Sequence, residues 1–151
     1  MDDVYTSNIP GTLPCACTTI KKLSRVLGRV YDAALAHSGI NVTQLAVLSC
    51  IKRRTGDPLI RVAEELELDR SSLYRAINPM IRDGWIILKD GPKGRSRTAR
   101  VTKKGDALLA RAAKDWDKVQ GSLVKTFGQT KYESLIEQVY RLADCAESLE
   151  S

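Results

Sequence analysis

The chain has 151 residues, of which 43% are hydrophobic and 5% aromatic, and its 24 Lys and Arg exceed its 18 Asp and Glu by a net charge of +6. This length suits one domain with additional helices, and no apolar run approaches the ~20 residues that a membrane span needs. The acidic first residues, MDDVYTSNIPGTLP, lack the apolar run of a signal peptide, so we expect a cytoplasmic protein without a membrane partner.

The N-terminal part of the chain is predicted to be an extended arm followed by a helix. Two prolines and a glycine discourage a helix over residues 1–17. Beyond them, apolar residues recur at the spacing of an amphipathic helix, and they are Ile20, Leu23, Leu27, Val30, Tyr31 and Ala34. We therefore predict a helix over residues 18–40.

Three further helices follow, and a tight turn separates the last two. Thr43 is the expected N-cap of the first of them. Asp57 and Pro58 fit the N-cap and the first residue of the next helix, and Asp69 fits the N-cap of the third. Only three residues, ending at Asp69, lie between the last two helices, which is typical of a helix-turn-helix.

The segment Trp85–Gly105, WIILKDGPKGRSRTARVTKKG, carries the whole charge imbalance of the chain. It holds seven Lys and Arg and one acid, Asp90, so its net charge equals that of the entire chain and the remainder is neutral. Apolar runs around a Gly/Pro-broken centre predict a β-hairpin with strands near residues 85–89 and 98–102. Such a strip is typical of a polyanion binder, although basic hairpins also keep sheet edges soluble.

A long helix is predicted from Lys103 to about Gly128, and T-x-x-E at Thr130–Glu133 predicts a capping box that opens a last helix. The expected fold is mainly α with a small β-hairpin wing: a winged helix-turn-helix with N- and C-terminal dimerisation helices. Its parts are an arm (1–17), dimerisation helices (18–40 and 121–151), a winged helix-turn-helix (41–105) and a long connecting helix (103–128).

The helix after Asp69 presents short polar and basic side chains in its first turns, where a recognition helix enters the major groove. Arg75 suits bidentate contact with guanine, and Asn78 suits adenine. The residues predicted to contact DNA here are Arg70, Ser71, Ser72, Tyr74, Arg75 and Asn78. Taken alone, this helix fits an ordinary amphipathic helix with a solvated polar face, but the turn before it and the basic hairpin after it favour DNA binding.

The hairpin is the predicted wing of this DNA-binding domain. Arg95 and Arg97 are placed to enter the minor groove, where A·T-rich narrowing strengthens the negative potential. Lys93 and Arg100 are assigned to phosphates, which position a protein without reading sequence. Because two copies on a two-fold axis read half-sites ~34 Å apart, the predicted partners are a palindromic DNA duplex and a second copy of the chain.

Three stretches together resemble the MarR family of transcription regulators. They are INVTQLAVLSCI (40–51), IRVAEELELDRSSLYRAINPMIRDGWI (60–86) and GRSRTARVTKKGDALL (94–109), within a resemblance that covers roughly residues 20–145. It implies a homodimer with interlocking terminal helices. It also implies promoter binding that is relieved by a small aromatic acid or by an oxidant acting on cysteine.

The wing departs from the family pattern at one place. The family usually carries an acid two residues before the key arginine, whereas Lys93, Gly94 and Arg95 stand at those positions. Asp90 is the nearest acid that could orient Arg95. The role of the arginine therefore carries over to Arg95, but its preorganisation does not.

The resemblance also implies an effector pocket between the dimerisation helices and the winged domain. Its candidate residues, each more simply explained as a core residue, are Leu27, Tyr31, Val47, Cys50, Ile51 and Trp116. The pair Cys15 and Cys17 is similar to the Cys-x-Cys of one MarR subgroup. Three interpretations of it stay open: a redox sensor with a lowered thiol pKa, a zinc site shared by two copies, or small hydrophobes at the dimer interface.

The predicted function is a homodimeric, sequence-specific DNA-binding transcription regulator, a repressor released by a small-molecule or oxidative effector, with no cofactor. The alternative is a winged-helix interaction module whose wing binds an acidic partner protein. An enzyme finds little support, because the sequence has neither a phosphate-binding glycine loop nor zinc-protease spacing, and His37 is its only histidine.

Overall fold

The computed structural model describes residues 14–91 and 96–149, which belong to two compact units, Met1–Asp115 and Trp116–Ser151. In chain order the elements are α1 (Ala16–Leu35), a 3₁₀ turn (Ala36–Ser38), α2 (Val42–Arg53), α3 (Leu59–Glu65), α4 (Arg70–Arg82), β1 (Ile86–Asp90), β2 (Arg97–Val101), α5 (Lys103–Phe127) and α6 (Gln129–Glu147). This order confirms the predicted mainly α fold with a β-hairpin wing.

Among the residues that the structure describes, no single helix is long and apolar enough to cross a membrane. One pair, Ala16–Ser38 with Val42–Arg53, reaches the required length and composition only when its two helices, bent by 71°, are counted together.

The core of the first unit is built mainly from the apolar faces of α2 and α4. Leu48 and Ile51 of α2, and Ile77 and Met80 of α4, are each at most 1% exposed. Burying an aliphatic side chain of this size stabilises the fold by about 1.5–3 kcal/mol. Because one side of α4 is held in this way, its opposite side is displayed at the surface.

The N-terminus of α2 differs from the prediction, which placed the cap at Thr43. The cap is Asn41, whose Oδ1 accepts the Gln44 amide at 2.8 Å, while Gln44 Oε1 accepts the Asn41 amide at 3.1 Å. Asp32 Oδ1 accepts the amide of Val42 at 2.7 Å. The Thr43 prediction is therefore wrong, because the reciprocal Asn–Gln pair and Asp32 satisfy the amides of the first turn two residues earlier.

The starts of α3 and α6 were also predicted inaccurately. Pro58 is extended (ψ 141°) and precedes the first residue of α3, and Asp57 does not cap the helix but accepts from Arg54 Nη1 at 3.1 Å. Helix α6 starts at Gln129, directly after Gly128 with φ +98°. Thr130 therefore lies inside the helix and no capping box forms with Glu133, whose Oε1 accepts from Gln129 Nε2 at 2.6 Å.

The wing is a two-stranded antiparallel hairpin in which Ile86 pairs with Val101 and Asp90 pairs with Arg97. Its root is tied to α5 by Thr102, whose hydroxyl donates to Gly84 O at 2.7 Å and accepts the amide of Gly105 at 3.1 Å. The strands lie within one residue of the predicted ranges. The wing and the first turn of α5 thus share a hydrogen-bonded junction.

Candidate nucleic-acid interface

The polar face of α4 lies at the surface, as its periodicity predicted. Arg70, Ser71, Arg75 and Asn78 are exposed, while Ser72 and Tyr74 are half-buried. The opposite face of the helix is buried and consists of Leu73, Ala76, Ile77 and Met80. All six predicted contact residues of this helix therefore lie on or beside a single displayed face, which we call the α4 face.

Asp69 organises the start of this helix. Its Oδ1 accepts the Ser71 hydroxyl at 2.6 Å and the Ser72 amide at 2.7 Å, and its Oδ2 accepts the Ser72 hydroxyl at 2.9 Å. These bonds, led by the one from the Ser71 hydroxyl, lower the pKa of Asp69 to about 2. The predicted N-cap is confirmed, and its carboxylate is ionised at neutral pH.

This arrangement changes what the two serines can offer to DNA. An ionised carboxylate only accepts hydrogen bonds, and each serine hydroxyl has one proton to donate. Because Ser71 and Ser72 both donate to Asp69, neither has a proton free for a phosphate oxygen while it keeps that bond. In this conformation both hydroxyls act toward a ligand as acceptors, which suits the amino groups of adenine and cytosine.

Tyr74, which the sequence predicted to contact DNA, is held in place by neighbouring residues. It packs against the edge of the core, and the guanidinium carbon of Arg70 lies 5.8 Å from its ring centroid. Both residues line a cleft between α3, α4 and the wing, whose other lining residues are Pro58, Leu59, Ile60, Ala63, Leu73, Ser96 and Arg97. The ring therefore supports the position of Arg70 at the border of the α4 face.

The wing brings Asp90 and Arg97 together. The two residues are cross-strand partners, and Arg97 Nε lies 3.5 Å from Asp90 Oδ1. Both are well exposed, so the pair orients Arg97 more than it stabilises the fold. Asp90, which the sequence suggested as a partner for Arg95, is thus placed at Arg97, and Lys93 and Arg95 lie outside the described residues.

Arg100 is exposed on β2, three residues after Arg97. Successive side chains of a strand point to opposite sides of a sheet, so Arg97 and Arg100 lie on opposite faces of the wing. Arg100 pairs with the exposed Ile87, and it lies on the outer face. The positive charges of the two arginines therefore point in different directions and do not form one cluster.

A group of charged residues at the ends of α2 and α3 was missed by the sequence analysis. Glu65 at the end of α3 receives hydrogen bonds from Arg53 Nη2 and Arg54 Nε at the end of α2. The bond from Arg54 is the largest cause of a lowered Glu65 pKa. These contacts join the ends of α2 and α3, and they became visible only once the fold had brought residues eleven and twelve positions apart together.

The predicted effector-pocket residues do not share one environment. Val47, Cys50 and Ile51 are core residues that are at most 1% exposed, and burial, followed by the nearby Glu65, raises the pKa of the Cys50 thiol. Leu27 and Tyr31 are half-buried on α1, and Trp116 belongs to the second unit. Their role in binding an effector stays a prediction.

Cys15 and Cys17 are exposed at the start of α1 as free thiols. The amide and the hydroxyl of Thr18 lie toward the Cys15 sulfur and lower its pKa, although the thiol forms no regular capping bond, and Lys21 contributes least. Lowered pKa and exposure are the properties of a reactive thiol. Within residues 14–91 and 96–149, no three His, Cys, Asp or Glu side chains are grouped as metal ligands.

The chain is similar to known transcriptional regulators. No family model matches the chain. It is 28% identical over 90 residues to the HTH-type transcriptional regulator BilQ of Clostridioides difficile, a match that covers 59% of this chain. The match spans about three fifths of BilQ, or 61% of its length.

Solved structures match over more of the chain. The transcriptional regulator MosR of M. tuberculosis, in complex with DNA, is 30% identical with a TM-score of 0.79, covering 89% of this chain and 97% of MosR. A mutant MarR of E. coli, complexed with operator DNA, is similar in fold, with a TM-score of 0.75 and 17% identity over 83% of this chain and 91% of MarR.

Proposed function

We propose that two copies of this chain, which belongs to the MarR family of transcriptional regulators, form a homodimer. The homodimer binds a palindromic operator and represses transcription. The observation that carries the proposal is the α4 face. Its polar and basic side chains are displayed together, while the buried side of the same helix fixes them to the core. A charged hairpin directly follows this helix in the chain.

The proposed contacts divide into base reading and positioning. Arg75 and Asn78 are exposed on α4, where they suit guanine and adenine edges in the major groove. Arg97 and Arg100, on opposite faces of the wing, suit the minor groove and a flanking phosphate. Lys93 and Arg95, which lie outside the described residues, complete the proposed set.

Apolar side chains exposed on α1 support the homodimer. Four of them recur three or four residues apart and are 40–47% exposed in the single chain: Ile20, Leu23, Val26 and Val30. Helix α6 independently exposes a similar set, Leu135, Ile136, Val139 and Leu142. Large exposed apolar patches mark interaction surfaces, and a second copy would cover these stripes while placing two α4 faces about one DNA turn apart.

Release from DNA is proposed to follow an effector that binds the DNA-free state more tightly, since only differential affinity shifts the equilibrium. Oxidation of Cys15 and Cys17 is one such route, supported by the exposure of both thiols and the lowered pKa of Cys15. A small aromatic acid held near Leu27 and Tyr31 is the other. Peroxide treatment of wild type and Cys15→Ser, followed by DNA titration, separates them, because only oxidation needs the thiol.

The DNA-binding proposal is tested by fluorescence anisotropy on the duplex that flanks the gene for this protein, with a scrambled duplex as control. We expect preference for a palindromic site and an affinity that falls steeply with salt. Arg75→Ala should lower affinity for the best site by about 1–3 kcal/mol. Equal affinity for both duplexes would reduce the protein to a non-specific binder.

The dimer is tested by sedimentation velocity. Val26→Glu places a charge in the exposed apolar stripe of α1 and should shift the protein toward monomer. Arg25→Glu, one residue away on the same helix but outside the stripe, is the matched control and should stay dimeric. A monomeric wild type, or a fully dimeric Val26→Glu, would contradict the proposed interface.

A further inference from the structure

A chain of hydrogen bonds connects the capping aspartate of α4 to its main candidate base reader. The Ser72 hydroxyl, which donates to Asp69 Oδ2 at 2.9 Å, accepts from Arg75 Nη2 at 3.1 Å. Asp69 is therefore linked to Arg75 through a single hydroxyl group. Ser71 also donates to Asp69, but Arg75 bonds the hydroxyl of Ser72 and not that of Ser71.

The direction of these bonds determines how Ser72 behaves. Its one proton is given to the carboxylate, so its lone pairs are turned toward Arg75. Without the carboxylate, the hydroxyl could rotate and donate to a carbonyl of the preceding turn instead. Arg75 would then lack a defined acceptor and would sample more rotamers in the free protein. Binding DNA would have to order this side chain at a greater cost in conformational entropy.

We propose that Asp69 is a positioning residue for base recognition: acting through Ser72 Oγ, it holds the Arg75 guanidinium in the orientation that meets one base pair, and so sets specificity without touching DNA. This inference rests on the proposed function, because it requires Arg75 to face a base. It also explains the choice of aspartate at this position. Serine also caps a helix, but its single oxygen cannot accept one amide and two hydroxyls together.

Asp69→Ser therefore separates the two roles of this residue. Serine keeps a side-chain oxygen for the Ser72 amide and so preserves the cap, but it leaves the Ser72 hydroxyl unconstrained. Ser72→Ala removes the connecting hydroxyl itself. Asn41→Ala is the matched control, because it removes the N-cap of α2, which lies outside the α4 face and has no link to Arg75.

The experiment uses the full-length protein and the best duplex selected from a randomised pool. Discrimination is measured as the ratio of Kd values for that duplex and for duplexes changed at one base pair. Arg75→Ala should identify the base pair that Arg75 reads, by losing about 5- to 150-fold discrimination there. Asp69→Ser and Ser72→Ala should each lose about threefold to tenfold discrimination at the same base pair, and Asn41→Ala should retain it.

A double-mutant cycle decides whether Asp69 acts through Arg75. In the Arg75→Ala background, Asp69→Ser should cause no further loss of discrimination at that base pair. An equal loss in both backgrounds, or wild-type discrimination in both Asp69→Ser and Ser72→Ala, would overturn the positioning role. Thermal unfolding confirms that each variant is folded. If Asp69→Ser does not fold, Ser72→Ala tests the same link to Arg75.

The outcomes also separate this inference from the function beneath it. If the wild-type protein prefers no duplex, the proposed function fails, and the positioning role fails with it. If Arg75→Ala loses discrimination at a base pair where Asp69→Ser and Ser72→Ala do not, only the positioning role fails.

Discussion

Replacing Gly105 with alanine tests how the wing is joined to α5. A Cβ at this position would overlap Trp85 O and would lie 2.7 Å from Val101 Cγ1, closer than the ~3.5 Å of an ordinary contact. Trp85 O also accepts the Thr102 amide at 2.9 Å, so it cannot turn away without losing that bond. Overpacking costs about 1–3 kcal/mol, and alanine regains at most about 1 kcal/mol of helix propensity.

We therefore expect Gly105→Ala to lower the free energy of unfolding by up to about 2 kcal/mol and to weaken DNA binding by displacing the wing. Gly121→Ala is the matched control in the same helix, because nothing lies within 4 Å of the added Cβ. It should raise stability by up to about 1 kcal/mol. Urea unfolding at one protein concentration compares the two. If both variants are equally stable, the close contact at the wing root does not constrain the fold.

Three further predictions concern caps and thiols. Asn41→Ala should lower the free energy of unfolding by about 0.5–2 kcal/mol, whereas Thr43→Ala should have little effect; urea midpoints that rank them in reverse would contradict the assigned cap. The pKa of Asp69 falls from 3.8 to about 2, so its stabilisation should be complete above about pH 4 and lost toward pH 2. Asp69→Asn should flatten that acid limb, and urea midpoints with an unchanged pH slope would refute this. Cys15 should react readily with iodoacetamide because it is exposed and its pKa is lowered, whereas Cys50 should react only on unfolding because it is buried. Peptide mass spectrometry measures both reactions, and comparable rates in the native protein would contradict this expectation.

The helix-turn-helix could be predicted from the sequence because its signals are local. The alternation of buried Leu73, Ile77 and Met80 with polar residues has the period of a helix, and Asp69 stands where a cap is needed. The structure confirms both features. The turn could be placed because only a few residues separate two segments with helical spacing of apolar residues. Such a signal needs no information from distant parts of the chain.

The features that the sequence analysis missed depend on hydrogen-bond or ion-pair partners that are distant in the sequence, or that residue type alone does not specify. The cap of α2 falls on Asn41 because Gln44 and the distant Asp32 both serve the same turn, and Thr43 alone gives no sign of this. The pairing of Asp90 with Arg97 depends on hairpin register, which a weakly alternating strand does not specify. Hydroxyl direction at Ser72 likewise follows from geometry and not from residue type.

Chemical probing of guanine N7 on the selected duplex tests the central claim most directly, because N7 lies in the major groove and is the atom that a bidentate arginine covers. Wild-type protein should protect one guanine in each half of an inverted repeat, with the two protected positions about one helical turn apart. Arg75→Ala should lose both protections while it retains contacts to the backbone. Failure of the wild type to protect any guanine N7, or the same protections in Arg75→Ala, would contradict the assignment of the α4 face as the reading surface.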